Sequence, residues 1–333
     1  MHVDQLLTIT QLARAIGVSE SSLKRWADDG VLRCHRTVGG HRRVPLSEAV
    51  RFIREIGAHL VRPDLIGLND LASVQSGATN DEPIEERLYG ALEAGRAAEA
   101  RGHLQSLYLA GWSVADIFDG PLWKALGRLG ELWLHAEWGK VVEHRATTIC
   151  VQAISQLGLM IRTREPEAPV AVGAAAEHDM YMLPSMMASV VLGEAGFADV
   201  NLGPLTPEKM LINASAHYRA RVAWLSVSYA PDPERCRESI VRLGERLAQQ
   251  GTTLVVGGRA IADVPSGHLG CAVVARSMRE LLALGRGLRA ATLPARDPRL
   301  ESGVAPDTRS AIARPAVGPE RGGDRTQRAD PRA

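Results

Sequence analysis

The chain has 333 residues, long for one domain and enough for two or three. Its 45% hydrophobic residues supply packed cores, its 23% charged residues are ordinary for a soluble protein, and its net charge of +1 excludes a globally basic nucleic-acid binder, so any such role must come from a local patch. The four cysteines, Cys34, Cys150, Cys236 and Cys271, form no CxxC pair and have no histidine at zinc spacing, which reads as reduced thiols. No apolar run reaches the ~18 residues that span a membrane. The opening "MHVDQLLTIT" lacks the charged and apolar regions of a signal peptide, so a cytoplasmic location is expected.

Residues 1–58 are compact and helical with basic clusters. "TITQLARAIGV" predicts a first helix with a Thr start signal, Gly17 a turn, and "SESSLKRWADDG" a second helix opening at Ser19. In helix-turn-helix logic the second helix enters the major groove and its early residues face the bases, which selects Ser21, Ser22, Lys24 and Arg25. "RTVGGHRR" places Arg36, His41, Arg42 and Arg43 around a Gly-Gly turn, suiting a wing whose cations meet phosphates. Trp26 and Leu32 are expected to pack in the small core. Residues 59–83 carry Pro, Gly, Ser, Asn and Asp without sustained periodicity and read as a linker.

From 84 to 165, apolar residues recur at three- and four-residue steps, which predicts a bundle of about four helices. From 168 to 290, five short β-rich runs, "PVAVGAAA", "ADVNLG", "VAWLSVSY", "TTLVVGG" and "CAVVA", alternate with amphipathic segments. That alternation predicts an α/β Rossmann-like (flavodoxin-like) parallel sheet with helices on both faces and a ligand site beyond the carboxyl ends of its strands. "EHDMYMLP", "SVSYAP" and "VVGGRA" fall at that edge. The stretch 291–333 is rich in Pro, Gly and Arg and is expected to be disordered. The fold class is thus multidomain: an α winged helix-turn-helix, a four-helix bundle and an α/β domain.

"GVSESSLKRW", "DGVL" and "RTVGGHRR" resemble the winged-helix DNA-binding domain of the MerR regulator family, with Val44 where the family often has an aromatic residue. In the bundle, Trp133 is followed after nine residues by Glu143 and His144. Taken alone, such residues are more often core and surface than ligands. In order, however, the three modules resemble light-dependent MerR-type regulators that bind adenosylcobalamin, a similarity covering residues 5 to 290. In that family a Trp-x9-Glu-His motif covers the upper face of the corrin, and "PLWKALGRLGELW" followed by "VVEHRAT" matches its surroundings.

The α/β half departs from the family. Its cobalamin-binding modules carry Asp/Glu-x-His-x-x-Gly after the first strand, with the His ligating cobalt from below. Gly196 and "LGPLTP" fix the register, which puts Asp179 at the acidic position, Tyr181 at the His position and Pro184 at the Gly position; His178 lies three residues too early. Ser226, Ser228, Gly257 and Gly258 still resemble the pocket floor. A phenol ligates a metal only when deprotonated, so cobalamin held by an imidazole below is not expected.

Three readings stay open. In the first, the pocket holds another tetrapyrrole, haem or a bilin, with His144, Tyr181 or His178 contacting metal, propionate or pyrrole. In the second, it holds cobalamin without the lower His. In the third, the module is a cofactor-free scaffold for oligomerisation. Met180, Met182, Met186 and Met187 are expected as core filler. The resemblance implies a non-enzymatic regulator of a double-stranded DNA operator, a homo-oligomer (dimer or tetramer) without membrane attachment, whose chromophore state sets oligomeric state and DNA affinity. The competing class is a corrinoid methyl carrier.

Overall fold

The computed structural model describes residues 5–75, 82–135, 137–161 and 167–291. The chain opens with β1 (Leu6–Thr8) and α1 (Ile9–Ile16). The Thr8 hydroxyl accepts from the Gln11 backbone N–H at 3.0 Å while the Gln11 side chain accepts from the Thr8 N–H at 2.9 Å, a reciprocal capping box. Gly17, at φ +71°, ends α1 in a conformation that favours glycine and starts the turn into α2 (Glu20–Asp28). Strands β2 (His35–Arg36) and β3 (Arg42–Pro45) form the wing and, with β1, an antiparallel sheet in the order β1–β3–β2. Helix α3 (Leu46–Ile56) closes the unit, its Phe52 buried in one core with Leu12, Leu23 and Leu32. As expected, Trp26 packs there, its ring 5.4 Å from that of Phe52.

The linker expectation for 59–83 fails over most of its length. A 3₁₀ turn at Pro63–Ile66 and the short helix α4 (Leu71–Gln75) bury Leu60, Ile66, Leu68 and Leu71. Asp70 accepts two 2.9 Å hydrogen bonds from Arg101, and a Cβ on Gly102 would sit 2.4 Å from the Asp70 carbonyl. The buried positions belong to turns, so their spacing follows neither a helical nor a strand period. Residues 76–81 of that stretch lie outside the described residues.

The bundle comprises α5 (Ile84–Ala94), α6 (Ala97–Leu109), the short α7 (Val114–Ile117) running on into α8 (Trp123–His135), and the long α9 (Glu137–Ile161). Between α7 and α8 a π turn at Phe118–Leu122 contains Pro121 and a non-helical Gly120, which kinks the chain. The α/β module follows: β4 (Val170–Ala175), α10 (Met182–Glu194), β5 (Ala198–Asn201), α11 (Glu208–Tyr218), β6 (Val222–Ser226), α12 (Pro233–Gln249), β7 (Thr253–Gly257), β8 (Val273–Val274) and α13 (Met278–Ala290). All five strands are parallel, in the order β5–β4–β6–β7–β8.

One face of the sheet carries α10 and α13, and its core (Val191, Leu192, Phe197, Trp224, Leu281) is continuous with that of the bundle. The other carries α11 and α12 over Leu211, Leu225, Ile240, Leu243 and Val256. Polar ties reinforce the bundle junction. Asp119, half-buried in the π turn, accepts from the first two backbone N–H groups of α13 at 2.9 Å each, where a carboxylate also complements the helix dipole. Val114 N–H donates to Glu194 at 3.0 Å.

Arg54 on α3 joins the winged unit to the same corner. Its guanidinium lies 3.7 Å from the centre of the Tyr108 ring and donates to the carbonyls of Tyr108 (2.7 Å) and Trp112 (3.1 Å) at the end of α6. Burial pushes the Tyr108 phenol up to about 12 and also raises Glu194 above the usual carboxylate range, with the charge of Arg54 opposing both shifts. Among the described residues no helix is long and apolar enough to cross a membrane. The stretch predicted as a disordered tail lies, from residue 292 onward, outside the described residues.

Candidate functional site

Two surfaces carry the residues singled out in the sequence. On the first, α2 presents Ser21, Lys24 and Arg25 to solvent. Ser19 caps the helix by accepting from the Ser22 N–H at 3.1 Å, and its oxygen is also shared with the Ser21 and Ser22 hydroxyls at 2.8 and 2.9 Å. Those two hydroxyls are thus already engaged in the cap. In the wing, Thr37 N–H donates to the His41 carbonyl at 2.9 Å and Gly40, at φ +77°, makes the turn. Arg36 and His41 are exposed and Arg43 half-buried. Arg42 instead folds inward, donating to the Asp28 carboxylate and reaching the Lys24 carbonyl at 3.5 Å. It braces the wing against α2.

The second surface is the carboxyl edge of the parallel sheet. Asp179, fully buried, is the clamp of that edge: one carboxylate oxygen accepts from its own loop at Tyr181 N–H (2.9 Å), the other from Ser228 N–H beyond β6. Its carbonyl receives Leu205 N–H at 3.0 Å, so the loops after β4, β5 and β6 converge on one residue. Gly258, at φ +116°, has room only for a hydrogen, because a Cβ would lie 2.4 Å from the Val227 carbonyl. A Cβ on Gly257 would meet the Ala275 carbonyl at 2.8 Å. Both glycines therefore serve close backbone packing within the sheet edge. Ser226 is buried with no hydrogen-bond partner for its hydroxyl.

Tyr181 is 48% exposed, with the Arg259 guanidinium 5.7 Å from its ring centre, and His178 is also exposed. Met180 and Met182 stand out of the core, 71% and 41% exposed, against the expectation of core filler; Met187 alone of the four is buried. Within the six-residue turn from β4 into α10 only Asp179 is buried, held by its hydrogen bonds, which leaves Met180, Tyr181 and the first residue of α10, Met182, facing outward.

On the bundle, Trp133 near the end of α8 is 42% exposed and the His144 side chain on α9 is 79% exposed. Lys140 connects them: its ammonium lies 5.7 Å from the Trp133 ring and it precedes His144 by one helical turn, so the three share a strip of the α8–α9 hairpin. Glu143 turns partly away, accepting from the Thr147 hydroxyl at 2.9 Å, with an oxygen 3.7 Å from His144 Nδ1. Trp138, Leu134 and Val141 extend the exposed apolar surface of the hairpin. Lys140 and Arg259, which sequence reading missed, lacked any motif; only the folded positions of Trp133 and Tyr181 single them out.

The family resemblance expects an imidazole at the position that Tyr181 fills, and the phenol found there does not offer the neutral nitrogen that would hold a corrinoid from below. Among the described residues no three His, Cys, Asp or Glu side chains converge to hold a bare metal ion. The exposed strip of Trp133, Lys140 and His144 does suit one face of a flat, partly charged ring.

A family model for a helix-turn-helix domain matches residues 6–56, and one for a B12 binding domain matches residues 84–157. The chain joins a helix-turn-helix domain to a B12-binding-like module. The second match spans α5 to most of α9, including Trp133, Glu143 and His144, and ends before the sheet. Among solved structures, the monomethylamine corrinoid protein of Methanosarcina barkeri is 17% identical, with 62% of this chain and 98% of that one covered and a TM-score of 0.48. The methanol:cobalamin methyltransferase complex of the same organism is 14% identical over 67% of this chain and 84% of that one, with a TM-score of 0.34. A cobalamin-binding protein of Desulfitobacterium hafniense DCB-2 is also 14% identical, over 62% and 98%, with a TM-score of 0.32. No curated protein sequence matches the chain. The pairing of domains is that of a DNA-binding regulator with a cobalamin-binding-like module.

Proposed function

We propose that the chain is a transcriptional regulator that binds operator DNA through α2 and the wing, and that its bundle and α/β module hold a tetrapyrrole whose state controls oligomerisation and DNA affinity. Residues 1–58 form the DNA-binding domain in this reading, 84–165 the cap and 168–290 the ligand-binding α/β domain. The observation that carries it is the exposed strip of Trp133, Lys140 and His144, inside the segment that matches the B12 binding domain. An exposed indole beside an imidazole and an ammonium is costly to leave in water and suits the face of a macrocycle. Tyr181, His178, Ser226 and Ser228 supply polar groups at the sheet edge, and Asp179 holds that edge together.

Ligand control requires unequal contact with two states of the protein. The junction at Arg54, Tyr108 and Glu194, where all three modules meet, is the natural transmitter, because a shift of the bundle alters the seat of α3 directly. The chain acts as a regulator in this reading and not as a methyl carrier, which has no use for a winged helix.

The test is spectroscopic. The purified protein is incubated separately with cobalamin, cobinamide, haemin and biliverdin, passed through gel filtration, and assayed for promoter binding in light and dark. At least one pigment is expected to co-elute with a shifted visible band and to change DNA affinity. His144→Ala is expected to weaken that pigment about tenfold or more. If no pigment is retained and none changes DNA binding, the module is an oligomerisation scaffold.

A further inference from the structure

We propose that Trp224 is a specificity-determining residue: its indole fills the crevice of the sheet, restricting the module to tetrapyrroles that lack a nucleotide arm. The inference rests on the tetrapyrrole reading above and narrows its ligand class.

The strand order locates the crevice. The strand order reverses between the parallel neighbours β4 and β6, where the loop after β4 leads to α10 on one face and the loop after β6 leads to α12 on the other. Ligands of doubly wound sheets enter at such a switch point, between the diverging loops. On the α10 face, a long substituent of a ring bound at this switch point would pass between β4, β6 and α10.

That volume is occupied. Trp224 stands in the middle of β6, paired in register with Gly173 of β4, and is 2% exposed. Its ring lies so directly over Gly173 that a Cβ there would be 1.9 Å from an indole carbon. The indole Nε1–H donates to the Ser185 hydroxyl of α10 at 3.1 Å, which donates to the Asn201 side-chain oxygen at the end of β5, also at 3.1 Å. Asn201 is held in turn by the Gly203 N–H at 2.9 Å. One side chain thus reaches from β6 across β4 to α10, and a hydrogen-bond chain anchored on β5 fixes its orientation. The indole is a flat bicyclic ring close in size to benzimidazole, so the protein fills with its own aromatic group a slot that a nucleotide base would otherwise need.

Ser226 marks the depth that remains. It lies two residues nearer the carboxyl edge on the same face of β6, is 5% exposed, and its hydroxyl has no hydrogen-bond partner. A buried polar atom left without a partner carries a desolvation cost, which a short amide or carboxylate of a bound ring would relieve. The site therefore accepts a ring with short side chains and stops below Ser226.

The test uses a matched pair of corrinoids that differ in the arm: cyanocobalamin and dicyanocobinamide, titrated into the full-length protein and followed by visible absorption and retention on gel filtration. Wild type is expected to bind cobinamide at least tenfold more tightly than cobalamin. Trp224→Ala, and the milder Trp224→Leu, are expected to close that gap by strengthening cobalamin without weakening cobinamide. Circular dichroism verifies that each variant folds, and the wild-type comparison stands without them. Equal or tighter binding of cobalamin by wild type overturns the inference while leaving the tetrapyrrole reading intact. So does a folded Trp224 variant that keeps the gap. Retention of neither corrinoid, nor of haemin or biliverdin, overturns both.

Discussion

Replacing Arg54 by alanine should loosen the DNA-binding unit from the bundle, and the size of the effect follows from its contacts. The guanidinium sits over the Tyr108 ring at 3.7 Å, a partly desolvated cation–π contact worth about 1–2 kcal/mol. Its hydrogen bonds to the carbonyls of Tyr108, in the last turn of α6, and Trp112, in the turn that follows, together contribute about 1–2 kcal/mol after allowance for solvent exposure. The total, about 2–4 kcal/mol, should appear in calorimetry as a separate transition for the DNA-binding unit below that of the rest. A double-mutant cycle with Tyr108→Leu isolates the ring contact and should return a coupling of about 1 kcal/mol. The pH dependence has a definite sign. Burial raises Glu194 above its unfolded value, so the stability tied to its proton is present at low pH and is lost as pH rises through the folded value. Arg54 lowers that folded value and softens the loss. Arg54→Ala should therefore cost more at pH 7.5 than at pH 5. A variant that melts in one transition within about 0.5 kcal/mol of wild type at both pH values, or a cycle with zero coupling, would refute the transmitter role.

Gly173→Ala should be severely destabilising, by about 3 kcal/mol or more, since its Cβ would lie inside the Trp224 ring; chemical denaturation of Gly173→Ala with Trp224→Leu should recover part of the loss. His103 is buried on α6 with the Glu99 carboxylate 3.6 Å from its Nε2, beyond hydrogen-bond distance, and burial, aided by the charge of Arg87 and opposed by Glu99, lowers its pKa below the ordinary imidazole value. Its depressed pKa means that stability present above the unfolded value is lost as pH falls toward the folded one. His103→Leu should remove this acid sensitivity, and a steeper loss of stability in the variant between pH 7 and pH 5 would contradict the assignment. In DNA binding, Arg36→Ala should reduce the log–log salt slope by about 1, as for a lost phosphate contact. Arg42→Ala, which breaks the brace to Asp28, should instead lower the melting temperature of the winged domain; a loss of salt slope without loss of stability would mean that Arg42 meets phosphate after all.

The layered plan was legible because each module writes its period into the chain. Thr8, Gly17 and Ser19 mark the helix-turn-helix by capping chemistry, and five β-rich runs spaced by amphipathic helices leave little choice but a parallel sheet. Residues 60–75 were misread for the converse reason. Their buried leucines and isoleucine sit on turns, and turn-based burial has no period to detect. Arg42 and Asp179 show a second limit. Residue type and position in a motif suggested ligand contact for both, whereas the fold shows the first bonded to Asp28 and the second to two backbone N–H groups. A charged side chain contacts a ligand only with what its neighbours leave unsatisfied, and neighbours across the chain are invisible before folding.

Trp224 carries that limit furthest. In "VAWLSVSY" it reads as one more apolar strand residue, and "VAVGAAA" as a strand with an incidental glycine. Pairing β4 with β6 turns the two into a lock and its recess, because the register sets Gly173 against Trp224 and no other residue at 173 would admit the ring. Tyr181 stands where the family resemblance expects a histidine, and a phenol there does not offer the imidazole that would hold a corrinoid from below; that alone does not say what the edge would hold instead. A filled crevice beside an unpartnered Ser226 hydroxyl narrows the choice. Had the module become a bare scaffold, burying that hydroxyl without a partner would be a cost of about 1–3 kcal/mol with nothing to maintain it. Its place beneath the exposed edge is where a shallower ligand that stops at Trp224 would meet it.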